Sequence, residues 1–177
     1  MTYEIIMSGF GGQGIMLMGQ LITYAGMLEN KNVSWIPSYG PEMRGGTAYC
    51  SVIVSEEPVG TPIVTEPNVV VAMNLPSLDK FEPMLQAGGT LIINSSLIER
   101  TTNRTDVKAY HIPANDIAIQ LGNPKTANMV TLGAVIAATS VVKSESVLKA
   151  FAKIFAKKPE LLKINEEAIS RGMQCIE

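Results

Sequence analysis

Apolar runs and helical periodicities alternate along this chain, and their order predicts an α/β protein with strands covered on both faces. Strand-forming runs occupy positions 3–7, 33–36, 47–54, 68–73, 90–94 and 109–112. The run at 68–73, Asn-Val-Val-Val-Ala-Met, does not alternate, as expected for a central parallel strand. The run at 47–54 follows 33–36 through a glycine-rich loop rather than a helix, so it predicts an antiparallel neighbour in a mostly parallel sheet.

Helices are predicted over 15–28, 76–85, 115–121, 127–141, from 144 onward, and over 159–171. The first has a mixed face, with Gly19 allowing close backbone contact. Pro76 or Ser77 opens the second, and Gly88-Gly89 lies beyond its end. The stretch 127–141 has no charge and is dense in Gly133, Ala134, Ala137 and Ala138, so it must be buried on most sides. Ser144 is predicted to cap a helix with Val147, Phe151 and Ile154 on its apolar side and Lys149, Lys153 and Lys157 on a solvated one. The last helix is predicted to end at Gly172. These elements give a three-layer α/β/α fold with a mixed, mostly parallel sheet, forming one domain over residues 1–177.

Two glycine-rich loops carry the candidate chemistry. Gly9-Phe10-Gly11-Gly12-Gln13-Gly14 stands between the first strand and the first helix, where free backbone N–H groups and the positive helix end face an anion. The second, Ser38-Tyr39-Gly40-Pro41-Glu42-Met43-Arg44-Gly45-Gly46, follows the second strand and is expected to open on the same sheet edge. Arg44 can offer its planar fork to a carboxylate or phosphate, or pair with Glu42 or a partner's acid. Ser8 and Gln13 can reach the same ligand or merely satisfy the turn. A dinucleotide site also needs an acid roughly 20 residues beyond the glycines, at the second strand's tip. Pro37, Ser38 and Tyr39 stand there instead, and Glu29 belongs to the preceding helix end. This disfavours ordinary NAD binding.

The two motifs together resemble the gamma subunit or gamma domain of the 2-oxoacid:ferredoxin oxidoreductases, over almost the whole chain. Weaker echoes lie at Asn94-Ser95-Ser96, at Asn128 to Ala134 and around Asn165. The resemblance implies a non-catalytic part of an enzyme that converts a 2-oxoacid and coenzyme A to acyl-CoA and carbon dioxide, passing electrons to ferredoxin. Thiamine diphosphate, magnesium and iron–sulfur clusters are implied on companion chains, and a ferredoxin-like subunit or ferredoxin as partner. The ligand candidates are Gly9, Gly11, Gly12, Gln13, Gly14, Ser38, Tyr39, Gly40, Glu42, Arg44, Gly45, Asn94 and Ser95. No catalytic or metal-binding residue is assigned. A stand-alone nucleotide-binding oxidoreductase and an anion-binding assembly module are the rival readings.

Composition narrows this picture. A net charge of −2 and 17% charged residues give no basic stripe for nucleic acid. Hydrophobic residues make up 46%, which points to a deep core together with apolar surface kept for partners, a second copy among them. Cys50, Cys175 and a lone His111 cannot assemble a cluster or structural zinc site. His111 reads as a core or edge residue, and Asn128 as a helix cap. With no signal-like or membrane-spanning segment, the expected location is the cytoplasm.

Overall fold

The computed structural model describes residues 1–38 and 47–176. Its six strands are β1 (Thr2–Phe10), β2 (Asn32–Ser38), β3 (Thr47–Ser55), β4 (Val69–Ala72), β5 (Thr90–Asn94) and β6 (Lys108–Ile112). They form one sheet in the order β2-β3-β1-β4-β5-β6. β4, β5 and β6 continue β1 in parallel, while β3 runs antiparallel to both β1 and β2. The antiparallel neighbour expected from the helix-free connection is thus β3, inserted between the first two parallel strands.

The helices are α1 (Ile15–Leu28), α2 (Leu75–Phe81), α3 (Ala114–Gln120), α4 (Ala127–Thr139), α5 (Ser144–Ile154) and α6 (Leu161–Gln174). Alternation along the strands feeds two cores. Ile5, Met7, Val52, Val71 and Ile92 face a large core shared with α1, α3, α4, α5 and α6. Ile6, Ile53, Val70 and Ile93 face a smaller one closed by Leu78 and Phe81 of α2. Gly19 lets α1 approach β3 closely, since an added Cβ would lie 2.6 Å from the Cys50 sulfur and 2.8 Å from the Trp35 indole nitrogen. Burial pushes the Cys50 thiol up to about 12, so it stays protonated.

Register is pinned at the sheet edge where β1 begins. The hydroxyls of Thr2 and Ser55 are 2.7 Å apart, and the Asn68 amide bridges β1 by accepting from Glu4 N and donating to Thr2 O, both at 2.9 Å.

Several helix ends depart from the sequence expectation. Asn74, with extended backbone, caps α2 by accepting from Ser77 N at 2.9 Å, which makes Leu75 the first residue. The same helix stops at Phe81 and tightens into a 3-10 turn over Glu82–Met84, because Pro83 has no N–H to donate. Lys143, rather than Ser144, holds the cap position of α5, and its N–H donates to Glu29 Oε1 at 2.7 Å. Burial alone would raise the Glu29 carboxyl. Bonds from Lys143 N, the Ser146 hydroxyl and the Lys31 ammonium instead hold it below its ordinary value. Gly172 does not end α6, which continues to Gln174. It is buried where α6 crosses α4, and an added Cβ would overlap the Val130 carbonyl; Gly133 meets the Ile169 carbonyl in the same way.

Candidate functional site

The chain leaves β1 through α1 on one face of the sheet and leaves β4 through α2 on the other. The carboxyl ends of these adjacent parallel strands therefore bound the crevice where connections diverge, the usual ligand position in open α/β sheets. A cavity of about 210 Å³ opens there, lined by Gly12 and Gln13 after β1, Met73 after β4, and Asn115, Lys125 and Asn128 around the starts of α3 and α4.

The first glycine motif builds one wall. Gly9 ends the buried part of β1, and a Cβ there would come within 2.9 Å of Met73 Cβ. Gly12 and Gly14 have φ of 89° and 75°, the left-handed region that glycine enters without strain. Gly11 is exposed at the tip. Gly14 is the N-cap of α1, with no side-chain cap and no acidic residue in the first turn. No carboxylate of the helix's own first turn thus compensates its positive end.

Gln13 closes the turn: its Oε1 accepts from Phe10 N at 2.6 Å, its backbone N donates to Phe10 O, and its Nε2 reaches Met73 O at 3.4 Å. Its side-chain oxygen is therefore engaged by the loop itself, while the residue still lines the cavity. Ser8 is fully buried and donates to the Ser77 hydroxyl at 2.8 Å, a role inside the fold. Asn128, expected to cap, is the second residue of α4. Its amide Nδ2 donates to Gly14 O at 3.3 Å, which ties the helix to the loop.

Asn94 at the end of β5 is fully buried, and its Nδ2 donates to Asn115 Oδ1 at 2.8 Å and Met73 O at 3.3 Å. It supports the cavity wall from behind. Asn115 spends its oxygen on Asn94, leaving its N–H₂ as the polar group available at the cavity. Ser95 is half-buried, and its backbone N bonds Ile112 O. Lys125 is exposed, and no carboxylate pairs with it among the described residues. Sequence reasoning missed Asn115 and Lys125. The signal for Lys125 was the Asn123-Pro124 break: Asn123 Oδ1 accepts from Lys125 N at 3.1 Å and fixes the turn that presents the lysine.

From the second motif, Ser38 ends β2 half-buried opposite Tyr49. Tyr39, Gly40, Glu42, Arg44 and Gly45 lie outside the described residues. The residues on either side, Ser38 and Thr47, both sit at the edge where β1 ends, with Thr47 paired to Phe10. The structure also opposes a dinucleotide clamp. With β3 between β1 and β2, the tip of β2 is two strand spacings, roughly 10 Å, from β1.

Comparison with known proteins agrees with this architecture. The family described as pyruvate ferredoxin/flavodoxin oxidoreductase matches residues 4–175. The chain belongs to that family. It is 37% identical over 172 residues to ketoisovalerate oxidoreductase subunit VorA of Methanothermobacter thermautotrophicus, covering 97% of this chain and 36% of the relative. The common gamma subunit of the pyruvate/ketoisovalerate oxidoreductases of Thermococcus litoralis is 32% identical, with 97% and 95% covered. The keto/oxoacid ferredoxin oxidoreductase gamma subunit from Geobacter sulfurreducens superposes with a TM-score of 0.84 at 29% identity, over 98% of both chains. The 2-oxoglutarate:ferredoxin oxidoreductase from Magnetococcus marinus, with 2-oxoglutarate, coenzyme A and succinyl-CoA bound, gives a TM-score of 0.90 at 25% identity, over 99% of this chain and 31% of that one. The chain spans about a third of the length of VorA.

Proposed function

We propose that this chain is the gamma-type part of a thiamine diphosphate-dependent 2-oxoacid:ferredoxin oxidoreductase and acts only within an assembly. The whole enzyme would decarboxylate a 2-oxoacid oxidatively, transfer the acyl group to coenzyme A and pass the electrons to ferredoxin. The size relation among relatives carries this reading. The fold fills almost all of the Thermococcus gamma subunit and the Geobacter structure, yet forms about a third of the VorA and Magnetococcus chains. Such a module supplies one wall of a larger machine.

Among the described residues no three His, Cys, Asp or Glu side chains gather to hold a metal ion, and two cysteines fall short of a cluster's thiolates. The proposal assigns thiamine diphosphate, magnesium and the clusters to companion chains, and electron transfer to a ferredoxin-like subunit or ferredoxin. No helix among the described residues is long and apolar enough to cross a membrane; the proposal places the subunit in the cytoplasm. The cavity between β1 and β4 would take an anionic group, a carboxylate of the oxoacid or a phosphate of coenzyme A. Lys125, the Asn115 amide and the open end of α1 would bind it, with Arg44 of the second motif as the further cation.

The test is reconstitution. The chain alone and the chain co-purified with thiamine diphosphate-binding companions are assayed anaerobically for viologen reduction with pyruvate, 2-oxoisovalerate and 2-oxoglutarate, each with thiamine diphosphate, magnesium and coenzyme A. Turnover is expected from the assembly and none from the isolated chain. Turnover by the isolated chain, or full activity in an assembly lacking it, refutes the proposal.

A further inference from the structure

The fourteen residues of α1 include no Asp, Glu, Lys or Arg, although part of the helix faces outward. A surface helix ordinarily carries charge on its outer side. Here the outer side near the C-terminal end presents Tyr24, Met27 and Leu28, exposed to 46%, 55% and 51%. Together with Ala150 and Ile154 of α5 they wall a groove of about 530 Å³, and Lys153 stands at its lip. Lys149 is exposed one helical turn earlier. Neither lysine has a carboxylate partner among the described residues.

We infer that the groove between α1 and α5 is the docking site for an amphipathic helix of a companion oxidoreductase chain whose apolar face is flanked by acidic residues. The inference rests on the functional reading above, which supplies such companions. A trough between two helices accepts a third helix whose apolar side chains repeat along one face. The acidic flank follows from charge. Lys153 borders the apolar floor on the α5 side, with Lys149 exposed one turn before it on the same helix, and the uncharged α1 offers nothing to neutralise them. A second copy of this chain fits poorly, because it would present the same lining, which carries a lysine and no carboxylate, and so would add like charge at the rim instead of neutralising it.

The experiment uses the assembled complex. A photoreactive benzoylphenylalanine at position 27 is expected to cross-link to a companion chain at a helix bearing acidic residues. Met27→Asp should raise the dissociation constant for companion chains about thirtyfold. Lys153→Glu should raise it about tenfold at low ionic strength, with the difference shrinking as salt is added. Both variants should unfold at the wild-type temperature as isolated chains, since both side chains are exposed. Adducts joining two copies of this chain, no adduct, or unchanged dissociation constants would overturn the assignment. If the wild-type complex forms and turns over while both variants match it, the docking site is wrong and the functional reading stands. If the wild-type chain binds no companion, both fall together.

Discussion

Neither α1 nor α4 carries a charged residue, yet the two helices meet different fates. All ten residues from Ala127 to Ile136 of α4 are buried, against the sheet on one side and α6 on another. In α1 the inward residues Met18, Leu21, Ile22 and Ala25 are equally covered, while Tyr24, Met27 and Leu28 remain about half exposed. Absence of charge therefore signals that a helix is covered without saying by what. For α4 the cover lies in the same chain, and for α1 the groove marks cover that another chain would supply.

The largest effect should come from the α4–α6 crossing. Gly172→Ala would drive a methyl group into the Val130 carbonyl, which neither helix can relieve by a rotamer change. A loss of about 3 kcal/mol in urea unfolding is expected, at the upper end of ordinary overpacking. A loss below about 1 kcal/mol would mean that the helices part easily and that the crossing is not the rigid member of the pair.

Gly14→Ala tests where the two uncharged helices are tied together. The left-handed backbone at φ 75° costs an L residue about 1–2 kcal/mol. The new Cβ would also press on the Asn128 amide, the link from α4 to the glycine loop. Reduced stability and reduced turnover of the reconstituted complex are both expected. Wild-type turnover would separate the loop from function.

A smaller effect belongs to Glu29, which anchors the α1 end to α5 through Lys143 N and Lys31, the latter at 3.0 Å. Glu29→Gln should cost about 1 kcal/mol near neutral pH. Because the folded carboxyl titrates below its ordinary value, its contribution is present above the unfolded pKa, about 4.3, and is lost as pH falls through the folded value. Unfolding curves of wild type and variant should therefore converge in acid. Convergence on the alkaline side instead would contradict the assignment.

The smallest expected change is that of Met27→Ala in the isolated chain, within about 0.5 kcal/mol by urea unfolding. A cost comparable with that of Gly172→Ala would show the outer face of α1 to be packed within the chain, which would erase the contrast.

Most of the strand content was legible because buried parallel strands concentrate β-branched residues, as in Val69-Val70-Val71. The placement of β3 was legible from its short, helix-free connection. Helix ends were read less well. A glycine near the end of a periodic run signals either termination or close packing, and Gly172 is the second kind. At 143–144 the cap position went to a lysine whose N–H is satisfied from a distant carboxylate, which no local pattern announces. Within the cleft, Gly12 and Gly14 could be found because each answers a local backbone need, and Gly9 and Asn94 because each stands near the C-terminal end of a readable strand. Asn115 and Lys125 were missed, since they reach the cavity from segments about a hundred residues away from the glycine loop, and the Asn123-Pro124 break announces a turn without saying where it leads.

The polar bridges of Thr2, Ser55 and Asn68 have a consequence for how the family can diversify. They hold β1, β3 and β4 in alignment at the edge opposite the cleft, and the strand ends at the cleft can therefore change side chains without releasing the sheet from its register. The alignment of the scaffold and the lining of its cleft are entrusted to opposite ends of the same strands. Substitutions that reshape the cleft can accumulate at one end while the other keeps the sheet in place.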